Sequence, residues 1–303
     1  MQVLLSGRLS TAERSEWLGE LRRAAPWCAW WSDDDADAPR EAIAAAVVAN
    51  PAPGALAGMP QLRLVQSLWA GVEKLLADKT LPADVPLARM VDPAMSAAMA
   101  ETALWAVLGV HRRFFDYAAQ QAQAEWQPHP QRRSGEIGVL VLGAGHMGQA
   151  VGTRLAAQGY RVGHWRAHGG DAAPLAELLA RAEIVVNLLP LTTATRGLLD
   201  ARFFAAMPRG ASIVNLARGA HVVDEDLLAA LDSGHVSRAV LDVFHSEPLA
   251  ADHAFWSHRR VIVLPHVAAL TDARSAAGIV AANLRALREG APLAYLVDRA
   301  RGY

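Results

Sequence analysis

Residues 138–148 read Gly-Val-Leu-Val-Leu-Gly-Ala-Gly-His-Met-Gly, an apolar strand run that passes directly into a glycine-rich turn and then into a helical pattern. No other stretch constrains the fold as tightly. In a G-x-G-x-x-G arrangement, Gly143 permits the tight turn, Gly145 lets a pyrophosphate approach the backbone, and Gly148 lets the following helix lie close to the strand. The amides of the turn and of the helix N-terminus, with His146 and Met147 in its first turn, then face phosphates. A glycine-rich turn can also serve packing alone, so the downstream sequence has to decide between the two roles.

Downstream of the turn, strand and helix patterns repeat. Arg161–Trp165, 183–189, 212–216, 238–243 and 261–264 read as further strands, and with 137–142 they make six. Alternation with helical segments implies a doubly wound parallel sheet, which binds ligands beyond the carboxyl ends of its strands. Chemistry is therefore expected just after each apolar run, at Leu189-Pro190-Leu191-Thr192, Ala217-Arg218-Gly219, Asp242 to Pro248, and Pro265-His266-Val267-Ala268. Residues 1–90 show the same β/α alternation without a phosphate fingerprint, in runs at 3–5, 29–31, 46–48, 64–66 and 87–90. There Ser67-Leu68-Trp69-Ala70-Gly71-Val72 ends a strand and begins a helix, so its amides could hold an anion or form an ordinary turn. A length of 303 residues with 52% hydrophobic content suits about two domains.

Composition removes several classes of partner. A net charge of -1 gives no electrostatic reason to expect nucleic acid or a membrane surface. The single cysteine, Cys28, excludes an intrachain disulfide and a cysteine-rich metal site. His129, His164, His168, His221 and His245 have no metal-ligand spacing, so no metal is expected. No segment approaches about 18 consecutive apolar residues and the start lacks a long apolar region, so the cytoplasm is the expected compartment.

From about 94 to 121 one helical run is expected, with Met95, Met99, Ala103, Val107, Val110 and Phe114 on one stripe and Leu104, Leu108 and Phe115 on its neighbour. That face is too wide for one-sided packing. It suits a helix that meets a second subunit, and core burial explains it equally well. The proline-broken stretch 127–133 reads as a loop, and Asn50-Pro51-Ala52-Pro53-Gly54 as another near the substrate side.

The chain resembles the D-2-hydroxyacid dehydrogenases, in particular the glyoxylate/hydroxypyruvate reductase A type, over nearly its whole length. The likeness is carried by the fingerprint, Asn187-Leu188-Leu189-Pro190, Asn215 to Val223, Leu241-Asp242-Val243-Phe244 with Glu247-Pro248, and Pro265-His266-Val267-Ala268-Ala269. It implies an α/β protein of two Rossmann-like, doubly wound parallel-sheet domains with an active-site cleft between them. Residues 1–95, completed by 271–303, would bind the substrate, and 96–270 the dinucleotide.

The resemblance assigns Arg218 to the substrate carboxylate and carbonyl, a task suited to a planar cationic fork. It makes His266 the acid/base and Glu247 the carboxylate that orients it. Asp242 matches the residue near the nicotinamide carboxamide, and Trp165, Arg166, Leu189, Pro190, Thr195 and Ala217 fall at cofactor-side positions. Amides around Trp69, Ala70 and Gly71 would share the substrate carboxylate. Trp69 departs from the smaller residue of many relatives; it narrows the pocket or packs elsewhere. An acid about 20 residues beyond the fingerprint would select NADH, but Arg166 stands there, with His168 nearby and Asp171 too late. NADPH is therefore expected to be preferred and NADH used less well. The implied reaction is reduction of a small 2-oxo acid, glyoxylate to glycolate or hydroxypyruvate to glycerate, by a cytoplasmic homodimer. The alternatives are a reductase for a larger 2-oxo acid such as phenylpyruvate and a non-catalytic nucleotide sensor, which the fold alone would permit.

Overall fold

The computed structural model describes residues 1–167 and 174–303. The chain divides into two compact units, Met1–Met95 with Thr271–Tyr303, and Ser96–Leu270.

Unit 1 is built on β1 (Gln2–Gly7), β2 (Ala29–Ser32), β3 (Ile43–Ala49), β4 (Val65–Ser67) and β5 (Leu87–Ala88). They form a parallel sheet in the order β2-β1-β3-β4-β5. Both faces are covered, which is why β3 reads Ile-Ala-Ala-Ala-Val-Val-Ala with little polar alternation. Leu4, Val65, Val72, Leu75 and Leu87 belong to the core on one face. The helices Thr11–Ala24 and Ala273–Glu289 pack together. Ser10 and Glu13 cap the first reciprocally, and Asp272 caps the second. An antiparallel bridge from Ala88 to Leu296 lays the last residues along β5.

Unit 2 carries β6 (Gly138–Leu142), β7 (Arg161–Trp165), β8 (Ile184–Asn187), β9 (Ala211–Asn215), β10 (Val236–Leu241) and β11 (Val261–Val263). Its six-stranded parallel sheet runs β11-β10-β9-β8-β6-β7. The two doubly wound sheets are the α/β architecture the alternation implies, and each expected apolar run supplies a strand.

The 94–121 run is not one helix. It is Pro93–His111 followed by Phe114–Ala122, and the break sits at Arg113, whose φ of 62° is left-handed. Gly109 lets the chain fold back, because a Cβ there would lie 2.3 Å from the Phe115 ring. That ring also meets Trp105 edge-on at 5.3 Å. Pro93–His111 has a mean hydropathy of 1.3 and is long and apolar enough to cross a membrane, a property that counting consecutive apolar residues missed. Its Met99, Ala103, Ala106 and Val107 are buried in the core of unit 2 with Val139, Val141 and Val214. Phe114 is instead exposed.

Candidate active site

Because the six strands of unit 2 are parallel, every residue that comes directly after a strand lies on one edge of the sheet. The fingerprint occupies the end of β6. Gly143 adopts φ 108°, and a Cβ there would meet the Leu188 carbonyl oxygen at 2.8 Å. A Cβ on Gly148 would lie 2.0 Å from the Gly143 oxygen, so the helix His146–Ala157 can approach the strand only because that side chain is missing. Gly145 caps this helix and differs from both, since a Cβ there meets nothing within 4 Å. Gly143 and Gly148 serve crowding; Gly145 faces open space, as a phosphate-approach position requires. His146 is exposed beside it and Met147 is partly buried.

Trp165 ends β7 packed against the core, and Arg166 is exposed one residue later. His168 and Asp171 lie outside the described residues. His164 hydrogen-bonds to the Gly148 carbonyl through Nε2 at 3.2 Å, which ties β7 to the fingerprint helix.

At the ends of β8 and β9 a fully buried polar network joins two of the expected loops. The Asn187 amide donates to Asn215 Oδ1 and to His221 Nδ1, both at 2.9 Å, while its own oxygen accepts from the Leu189 N–H at 3.2 Å. Asn215 then accepts from the Ala217 N–H at 3.2 Å and donates to the Arg218 carbonyl at 3.0 Å. His221, accepting at Nδ1, carries its proton on Nε2 and donates to the Pro190 carbonyl at 3.3 Å. Breaking any member strands a buried polar group, at a cost of about 1–3 kcal/mol. Sequence reasoning left His221 as an ordinary histidine. The signal for the network is a polar residue closing each of two apolar strands, Ile-Val-Val-Asn and Ser-Ile-Val-Asn.

Two residues expected on the cofactor side are held by the protein's own hydrogen bonds. Thr195 is 1% exposed, and its hydroxyl donates to the Pro190 carbonyl at 2.7 Å and accepts from the Thr192 N–H at 2.8 Å; it shapes the loop after Pro190 and offers no surface of its own. Asp242, also 1% exposed, accepts from the Val267 N–H at 2.8 Å and the Ala268 N–H at 3.0 Å. It is the anchor of the 265–268 segment, and burial pushes its carboxyl above the ordinary aspartate range against the pull of those two amides.

That anchor places the histidine. His266 has φ 56°, a left-handed conformation that costs a side-chain-bearing residue about 1–2 kcal/mol. Its own N–H donates to the Asp242 carbonyl at 2.9 Å, so Asp242 holds three consecutive amides around the strained residue. The imidazole Nδ1 lies 2.6 Å from Glu247 Oε2, and Glu247 Oε1 accepts from the Phe244 N–H at 2.9 Å. The ring remains half exposed with Nε2 turned away from this carboxylate. Gly219, next to Arg218, would place a Cβ 1.9 Å from the Phe244 carbonyl carbon, so the arginine turn and the Glu247 loop cross in contact. Arg218 itself is partly buried, with Nη1 donating to the Ala217 carbonyl at 2.6 Å.

In unit 1, Trp69, Ala70 and Gly71 come after β4, all partly buried. The Trp69 N–H is not available to a ligand, because it donates to Ser67 Oγ at 3.0 Å. Among the described residues, those of Ala70 and Gly71 have no acceptor within the chain. Within the described residues no group of three or more His, Cys, Asp or Glu has a metal-binding arrangement.

This chain is similar to known proteins over its length. It is 39% identical over 305 residues to the glyoxylate/hydroxypyruvate reductase A of Serratia proteamaculans, covering 95% of this chain and 96% of the relative. Among solved structures, a D-isomer specific 2-hydroxyacid dehydrogenase from Xanthobacter autotrophicus in complex with NADPH and MES matches with a TM-score of 0.93 and 36% identity, covering 99% of each chain. An NADPH-dependent glyoxylate/hydroxypyruvate reductase from Sinorhizobium meliloti, in complex with NADP and sulfate, matches with a TM-score of 0.92 and 33% identity over 100% of this chain and 99% of that one. Residues 104–268 match the NAD binding domain of the D-isomer specific 2-hydroxyacid dehydrogenases, and with these relatives that places the chain in the D-isomer specific 2-hydroxyacid dehydrogenase family.

Proposed function

We propose that this protein reduces small 2-oxo acids, glyoxylate to glycolate and hydroxypyruvate to glycerate, with NADPH preferred and NADH used less well. The observation that carries the reading is the His266–Glu247 pair, 2.6 Å apart, on the same sheet edge as the open Gly145 turn. A nucleotide sensor needs only that turn; an acid held by a carboxylate is machinery for proton transfer. The names of the relatives from Serratia proteamaculans and Sinorhizobium meliloti support the substrate and cofactor assignments.

In this reading unit 2 is the dinucleotide-binding domain and unit 1 the substrate-binding domain. Gly143, Gly145, the first turn at His146 and Met147, and the Leu189-Pro190 and Ala217 segments would hold NADPH, which supplies a hydride to C2 of the acid. Glu247 accepts a hydrogen bond from Nδ1–H of the His266 ring and so directs the Nε2 proton to the C2 oxygen as negative charge develops there. Arg218 pairs with the carboxylate through a planar fork; within unit 1 the N–H groups of Ala70 and Gly71 are hydrogen-bond donors available to an anion. Arg166, at the end of β7, pairs with the 2′-phosphate that distinguishes NADPH.

The test is a panel of glyoxylate, hydroxypyruvate and phenylpyruvate, each with NADPH and NADH, monitored by loss of cofactor absorbance. Turnover fastest on the two small acids with NADPH is expected. A marked preference for phenylpyruvate would favour the larger-substrate enzyme, and cofactor binding without turnover on any acid would favour a sensor. The proposal includes a cytoplasmic homodimer. Trp105 and Phe114, 43% and 53% exposed, give the 94–121 region an apolar surface suited to a two-fold contact, and a monomeric mass by light scattering would remove that part.

A further inference from the structure

Arg89 stands one residue beyond β5, where it has no evident task. Among the described residues it makes no ion pair with any carboxylate within 4.0 Å. Its surroundings are nevertheless not those of a solvated arginine. The residues on either side, Ala88 and Met90, are fully buried, and Arg89 itself is partly so. Burial pushes its guanidinium below its ordinary value, with Tyr295 acting weakly in the opposite direction. An arginine keeps its proton under such conditions, so this cation is partly desolvated and lacks a counter-ion, an arrangement that favours an anion brought from outside.

Its position indicates which groups would share the anion. β5 pairs with β4 in the register Val65↔Leu87 and Gln66↔Ala88, which sets Arg89 beside Ser67, about 4.8 Å across the sheet. The Met90 N–H donates to the Trp69 carbonyl at 3.1 Å, so the Arg89–Met90 peptide lies against the loop that continues into the open amides of Ala70 and Gly71. By the two-residue alternation of an extended chain, Arg89 shares the sheet face of Leu87, and that face also carries Val72 and Leu75 immediately after the amides. The backbone is fixed on the other side too, since the Arg89 N–H donates to the Tyr295 carbonyl at 3.0 Å.

We propose that Arg89 is a substrate-binding residue, which together with the amides of Ala70 and Gly71 forms in unit 1 a cradle for the carboxylate of a 2-oxo acid. The inference rests on the reductase reading for the identity of that acid, and the cradle itself can be tested separately. The Met90–Trp69 hydrogen bond brings the backbone of Arg89 to the loop that bears the two unpaired N–H groups, so its guanidinium would supply the carboxylate with a cationic partner within unit 1.

The experiment uses Arg89→Met and Arg89→Lys in the full chain loaded with NADPH, and measures the affinity of oxamate, an unreactive analogue of a 2-oxo acid, by calorimetry. Arg89→Met should weaken oxamate by tenfold or more, as loss of a charge-assisted contact implies, with Arg89→Lys recovering part of it and NADPH affinity unchanged. In turnover, KM for glyoxylate should rise by a similar factor while kcat changes far less. Unaltered oxamate affinity in Arg89→Met, or failure of the unmodified protein to bind oxamate at all, would overturn the cradle. A fall in kcat at constant KM with a lowered melting temperature would also overturn it, because that pattern belongs to a structural residue. Should the unmodified protein bind oxamate yet reduce no 2-oxo acid, the reductase reading fails while the ratio of oxamate affinities still decides the role of Arg89.

Discussion

Both units are doubly wound parallel sheets, and in each the first strand ends in glycine or runs into it, yet the two glycine positions answer to different physics. Gly7 closes β1 where a Cβ would lie 2.5 Å from the Ala49 carbonyl oxygen, and Gly145 comes after β6 with nothing within 4 Å. One is small because its neighbours are near, the other because a visitor has to be. The sheet edges differ in the same way. The edge of unit 1 closes on neutral Ser6, Ser32 and Ser67, whereas that of unit 2 holds buried Asn187, Asn215 and Asp242 as supports for an arginine turn and a histidine loop. On a similar topology, the edge of unit 2 carries amide and carboxyl side chains beneath its exposed groups.

The largest effect expected from breaking this contrast is at the supported histidine. His266→Ala should lower kcat by about 10²–10⁴-fold and leave the NADPH dissociation constant nearly unchanged; stopped-flow turnover with a parallel cofactor titration measures both. An unchanged kcat would remove the proton-transfer role. Next comes the cofactor edge. Arg166→Asp should reduce kcat/KM for NADPH by about tenfold to a hundredfold, the worth of one charge-assisted contact, with NADH much less affected. Equal losses for both cofactors would show that Arg166 does not read the 2′-phosphate.

The glycine pair sharpens the comparison directly. Gly7→Ala should cost about 1–3 kcal/mol of stability through overpacking, visible as a lower melting temperature at undiminished NADPH affinity per folded molecule. Gly145→Ala should do the reverse and keep the melting temperature of the unliganded protein. Matching profiles for the two variants would mean that the glycines do the same job.

The smallest effect is a pH slope. Burial raises the Asp242 carboxyl above the ordinary value of 3.8, so the folded protein holds this proton more tightly than the unfolded chain. The contribution of this group to stability is therefore greatest below 3.8 and is lost as pH rises through the folded value. Denaturant titrations of the protein and of Asp242→Asn should diverge across that window, with the aspartate form losing more stability as pH increases. Parallel profiles would contradict the assignment of the shift to burial.

Much of the fold was legible because parallel strands are written as short continuous apolar runs, and Ile-Val-Val-Asn or Val-Leu-Val-Leu hardly admits another reading next to glycines. The outline of the chemical edge was equally legible, since Arg218, Glu247 and His266 each come after such a run. What escaped was decided by contacts distant in sequence. The helix break at Arg113 depends on the Phe115 ring settling on Gly109, which no periodicity encodes. The closure of the Trp69 amide depends on where the Ser67 hydroxyl turns. That Asp242 also anchors the histidine segment, its oxygens accepting from the Val267 and Ala268 N–H groups, is visible only in the folded loop.

The division of the chain at Met95 and Thr271 has a bearing on how the protein is made. Translation delivers the N-terminal side first, so β1 to β5 emerge while the helix Ala273–Glu289 and the segment that bridges β5 at Leu296 are still unsynthesised. The contiguous stretch 96–270 can complete its sheet as soon as β11 has cleared the ribosome. Unit 1 therefore gains its helix Ala273–Glu289 and its Leu296 bridge only after the stretch 96–270 has been synthesised.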